Sequence, residues 1–110
     1  MIDFRTFIPQ KFNELAEHFK RKNEQYTGTN ADTLANFRIG ALMKYGSATM
    51  PNMYEIGKDY VRKHVAYIES HDINGKTAED SLKDIGTYSM ILLYMIKQHK
   101  QNKQEQKNED

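Results

Sequence analysis

Apolar residues recur along this chain at steps of three and four. Nowhere do they alternate in the period-two pattern of a half-buried strand. The first predicted helix runs from about Pro9 to Tyr26: Phe12, Leu15, Ala16, Phe19 and Tyr26 share one stripe, and Pro9 suits a first-turn position. The stretch "TGTN" at 27–30 breaks the pattern. A second helix is predicted from Ala31 to Tyr45, with Asn30 as N-cap and Gly46 just past its C-cap. Its apolar face holds Leu34, Phe37, Ala41, Leu42 and Tyr45. After the connection "SATMPN", a third helix is predicted from Met53 to Ser70. Ile56, Tyr60, Val61, His64, Val65, Tyr67 and Ile68 give it a wide apolar face. "HDINGK" is a turn built on an Asn-Gly pair. The fourth helix is predicted from Thr77 to about His99, with Thr77 and Asp80 as a capping box in which Asp replaces Glu. The final stretch "KQNKQEQKNED" has no apolar side chain. It is predicted to be disordered or, at most, to extend the helix into solvent.

Four helices with short connections predict an all-α, compact four-helix bundle-like domain over residues 1–99, with 100–110 as a polar tail. A chain of 110 residues has room for one modest core. Six methionines, seven tyrosines and five phenylalanines are generous for that size. They fit an ordinary core, and also a core that is partly packed against a second subunit, hence a homo-oligomer. The 16 basic and 15 acidic residues nearly cancel, so no global field favours nucleic acid or an anionic membrane. The longest apolar run, "MILLYMI", is far too short for a bilayer. "MIDFRTFIPQ" lacks the pattern of a signal peptide. Without cysteine there are no disulfides and no thiolate metal sites, which fits a cytoplasmic setting.

The chemistry concentrates in "TAEDSLKDIGTYSMILLYMI" at 77–96. At about 100° per residue, Leu82, Ile85, Gly86, Ser89, Leu93 and Ile96 form one stripe. Asp80, Asp84, Tyr88, Ile91 and Met95 form the opposite one. The C-terminal half is thus apolar all round and predicted to be buried on most sides. The two acids lie on a line that becomes core one turn later, at the mouth of the bundle. Asp80 and Asp84, at i and i+4, can converge on a hard cation such as Mg²⁺ or Mn²⁺. The plain alternative is that Asp80 caps the helix and both acids answer its dipole. Asp84 is one turn too deep to cap.

In the third helix, Glu55 and Asp59 repeat the i, i+4 spacing and could join that carboxylate cluster, with Lys63 turned towards a phosphate. Equally, Asp59 and Lys63 suit an intrahelical ion pair. Glu14 and Glu17 in the first helix fit a solvated face. Among His18, His64, His71 and His99 no pair has metal-ligand spacing, and His64 on its apolar stripe reads as a core histidine. There is no glycine-rich phosphate loop and no nucleophile elbow.

These residues carry a resemblance. "EDSLKDIGTY" at 79–88 resembles the acidic helix of small phage and prophage proteins grouped as a nucleotide-modification-associated domain. Those proteins are related to the all-α nucleoside triphosphate pyrophosphatase (MazG-like) superfamily. "KRKNEQY" at 20–26, "ANFRIGAL" at 35–42 and "DYVRKHVAYI" at 59–68 stand in the order of that domain's other helices. The resemblance implies an oligomeric, all-α phage or bacterial protein that acts on a nucleotide. It implies cleavage of a triphosphate to monophosphate and pyrophosphate with Mg²⁺. It places Glu79, Asp80 and Asp84 at the acidic-helix positions, Lys63 at the preceding helix's basic position and Asn36 at the Asn-Phe position. With the spacing reading, the expected site has Asp80 and Asp84, joined by Glu55 or Asp59, as metal ligands, Glu79 and Lys63 as catalytic residues, and Asn36, Lys63 and Tyr88 as substrate contacts. Active members carry Glu three positions before the aspartate where this chain has Ser81. A non-catalytic binding or assembly protein is therefore the second expectation.

Overall fold

A computed structural model describes residues 1–27, 34–75 and 77–109, the side chains of 24–27, 108 and 109 excepted. Those residues form four helices and no strand: α1 (Phe4–Thr27), α2 (Ala35–Tyr45), α3 (Met50–Glu69) and α4 (Ala78–Glu109). The class is all-α. Two helices begin earlier than their apolar stripes. Asp3 caps α1: its carboxylate accepts from the Thr6 backbone N–H at 3.2 Å and from Thr6 Oγ1 at 2.6 Å. Pro9 therefore lies inside α1, where it has no N–H to give to the preceding turn. At α3, Thr49 is the N-cap, accepting from the Asn52 N–H at 3.3 Å, and Pro51 fills a first-turn position. "SATMPN" is thus half connection and half helix. Asn52 ties this start down by donating from Nδ2 to the Ser47 carbonyl and hydroxyl. Gly46 closes α2 as expected, with φ 78° and its N–H donated to the Leu42 carbonyl. The proposed cap at Asn30 and helix start at Ala31 lie outside the described residues.

Contacts divide the chain into two units, Met1–Thr33 and Leu34–Asp110, where the periodicity suggested one domain over residues 1–99. The first unit is α1, whose Phe4, Ile8, Phe12 and Phe19 are exposed. The second unit holds the core. There α2 packs on α3 and α3 packs on α4. Phe37 and Ala41 of α2, Met53 and Ile56 of α3, and Met95 of α4 are buried. Tyr54, Tyr60, Tyr88, Ile91 and Leu92 pack around them. Glycine sets how closely the helices approach. A Cβ on Gly40 would come within 3.1 Å of Ile56, and one on Gly57 within 2.5 Å of Leu92.

α4 departs from expectation twice. Its apolar half is buried on one side only: Met95 is fully buried, while Leu93 and Tyr94 are 45% and 51% exposed. Within its unit, the close helix–helix packing of α4 is with α3. It also continues as helix to Glu109, past the predicted end near His99, and is exposed over residues 101–107. Polar side chains one turn apart bridge there, Gln98 to Asn102 at 2.9 Å and Gln101 to Glu105 at 3.1 Å.

Candidate functional site at the α3–α4 seam

The polar and aromatic groups that meet do so where α3 crosses the first turns of α4. Ser81 is buried, an isolated hydroxyl in an apolar seam. A buried hydroxyl without a partner is costly, and His64 from α3 supplies one, with Nδ1 3.4 Å from Ser81 Oγ. The other ring nitrogen, Nε2, lies 3.6 Å from Asp84 Oδ2. The His64 ring stacks on Tyr88 at 5.8 Å between centroids and 28° between planes. Tyr88 in turn packs against Tyr60 at 5.5 Å and edge-on to Phe37 at 6.4 Å. Phe37 and Tyr60 complete the cluster at 5.5 Å. Three helices thus contribute rings to one cluster, with Asp84 at its rim, its side chain 53% exposed.

Burial raises the pKa of the Tyr88 hydroxyl above its ordinary value, and the charge of Asp84 adds to the rise. Tyr88 is therefore a neutral donor and a ring surface, not a base. Ser81, His64 and Asp84 are the residue types of a hydrolytic triad, but Ser81 is only 7% exposed and closed to a substrate carbonyl. What the seam can offer is a carboxylate, an imidazole and a polar ring edge, all on helices and therefore rigidly held.

The residues singled out from sequence divide between this seam and other places. Asp84 and Tyr88 are brought together, and Asp80 lies one turn before Asp84 on the same side of α4, exposed. Glu79 is exposed on a different side of α4, five residues before Asp84. Glu55 is tied to Lys58 at 2.7 Å. Asp59 bonds Lys44 of α2 at 3.0 Å and Arg62 at 2.6 Å, in place of the suggested pair with Lys63. The Lys44 hydrogen bond is the main reason the Asp59 carboxyl sits below its usual range, and Asp59 in turn raises Lys44. Lys63 and Asn36 are exposed.

Sequence reasoning placed His64 in the core and did not connect it to Ser81. The signal was present: Ser81 shares the stripe of Tyr88 and Met95, so a polar group on the facing stripe of α3 was required to satisfy it.

Among the described residues no three carboxylate or imidazole groups come together in a way that could hold a metal ion. Glu55 and Asp59 already have cationic partners. Of the expected ligands, Asp80 and Asp84 are left without a third carboxylate or imidazole beside them that would complete a metal site. No described helix is long and apolar enough to cross a membrane. Comparison with known proteins found no matching family, no matching curated protein and no matching solved structure.

Proposed function

We propose that the chain is a nucleotide-binding helical protein whose phosphate- and base-contacting surface is the α3–α4 seam. The observation that carries the reading is the grouping of Asp84, His64, Tyr88 and Tyr60, which joins a half-exposed carboxylate to a set of rings. Rings with a free edge suit a nucleobase. Asp84 would take a phosphate only with a cation between them, so Mg²⁺ enters with the ligand. Lys63, exposed beside His64 in sequence, and Asn36 on α2 are the polar groups available to phosphate or sugar. Resemblance of "EDSLKDIGTY" to the phage nucleotide-associated helix supports the same reading. Binding is favoured over hydrolysis because Glu55, Asp59 and Glu79 do not join Asp84.

The test is calorimetric titration of the chain with a panel of nucleoside mono-, di- and triphosphates, with and without Mg²⁺, beside an assay of pyrophosphate release. The reading predicts Mg²⁺-dependent binding that Asp84→Asn weakens by about tenfold, equivalent to ~1.4 kcal/mol. No binding to any nucleotide, or binding indifferent to both Asp84→Asn and Tyr88→Ala, would sink it. Pyrophosphate release lost in Asp84→Asn would place catalysis at the same seam.

A further inference from the structure

The connection between α3 and α4 carries a reactive pair. Asn74 is the one asparagine of the chain that glycine follows. Asn74 is exposed, and Ile73 beside it is almost wholly so. Asp72 fixes this turn twice. Its carboxylate accepts from the Asn74 backbone N–H at 2.9 Å, and its carbonyl accepts from the Gly75 N–H at 3.1 Å. The turn is also tight, since a Cβ on Gly75 would come within 3.3 Å of the Asp72 carbonyl oxygen. The Gly75 carbonyl then accepts from the N–H of Ala78, where α4 begins, at 3.3 Å.

We propose that Asn74 is a site of spontaneous deamidation, and that Asp72 is the residue that holds the reaction back in the fold. In the reaction the Gly75 backbone nitrogen bonds to Asn74 Cγ. The side-chain amide leaves as ammonia and takes up the proton that the Gly75 nitrogen gives up. Water then opens the succinimide ring at either carbonyl, to aspartate or to isoaspartate. Glycine leaves the approach to Cγ open because it has no side chain. The closed turn opposes the step. There the Gly75 proton is engaged by the Asp72 carbonyl, and the Asn74 N–H bond holds the backbone on the other side of Asn74. Cyclisation therefore runs through the opened turn, in proportion to how often it opens. The product matters to the seam. Isoaspartate adds a carbon to the main chain between Asp72 and Ala78, just before the first turns of α4 that carry Ser81 and Asp84. The inference goes beyond the nucleotide reading and does not depend on it.

The full chain held in mildly alkaline buffer, folded and in parallel unfolded in guanidinium chloride, tests it. Peptide mapping by mass spectrometry follows conversion at Asn74. The unfolded chain is expected to convert faster than the folded one. Asp72→Ala speeds the folded chain by about fivefold, the weight of one ordinary hydrogen bond, and leaves the unfolded rate unchanged. Asp72→Asn, whose side chain keeps an acceptor, stays near the wild-type rate. No conversion at Asn74 in the unfolded chain, or equal rates folded and unfolded, overturns the proposal. So does a folded Asp72→Ala chain no faster than wild type, or an Asp72→Asn chain as fast as Asp72→Ala.

Discussion

The two sides of α4 are built from similar apolar residues and meet different surroundings. On the side facing α3, Leu92 lies against Gly57, Ser81 is buried, and Met95 loses all contact with solvent. On the other side, Leu82, Met90 and Leu93 stay about half exposed. What separates them is polar detail. The inner side carries one buried hydroxyl that must be answered, and His64 answers it. The outer side carries Glu79, Lys83, Lys97 and Lys100, all exposed. An apolar stripe therefore does not by itself decide that a helix face is buried: the inner face of α4 is, and the outer face stays open.

The contrast is sharpest in truncation. Met95→Ala leaves a cavity at a fully buried site, and about 2–5 kcal/mol of stability is expected to be lost. Leu93→Ala, two residues away, is expected to change the stability of the diluted chain by less than about 0.5 kcal/mol. Denaturant unfolding of both variants at low protein concentration checks the pair. Equal losses would mean that the two sides are not distinct.

A smaller effect reads the inner side through pH. Because the Tyr88 pKa is raised in the fold, first by burial and then by Asp84, the folded chain holds this proton more tightly than the unfolded chain. The resulting stability is complete below the ordinary tyrosine value of 10.0 and is lost as pH rises through the folded value. Alkaline unfolding curves should therefore fall less steeply above pH 10 in Tyr88→Phe than in the wild-type chain. Identical curves would mean that Tyr88 is not buried beside Asp84 in solution.

Much of this was legible in the residues. The four helical stretches, Gly46 as the close of α2, and Asp84 beneath Tyr88 all follow from period and local chemistry. Helix starts were legible only in part, because a stripe marks where a helix must be buried and a cap marks where it begins. Asp3 and Thr49 each open their helix before the first residue of its predicted stripe. The partners of charged groups were not legible, since they depend on which helices touch. Asp59 reaches across to Lys44 on α2, a choice that spacing within α3 cannot reveal. One-sided burial of α4 was hidden for the same reason: an all-round apolar helix asks for neighbours on every side, and α2 and α3 do not provide them all.

The central claim is that α4 divides its faces between a buried seam with α3, proposed to take a nucleotide at its rim, and an exposed outer side. Two methionines report the two sides separately, Met95 from the inner and Met90 from the outer. Methyl-labelled methionine spectra of the full chain, recorded over a nucleotide–Mg²⁺ titration, follow both at once. The account predicts that the signal of Met95, packed in the cluster with Tyr88, moves with nucleotide and that of Met90 does not. A Met95 signal indifferent to nucleotide, or a Met90 signal that follows it equally, would contradict it.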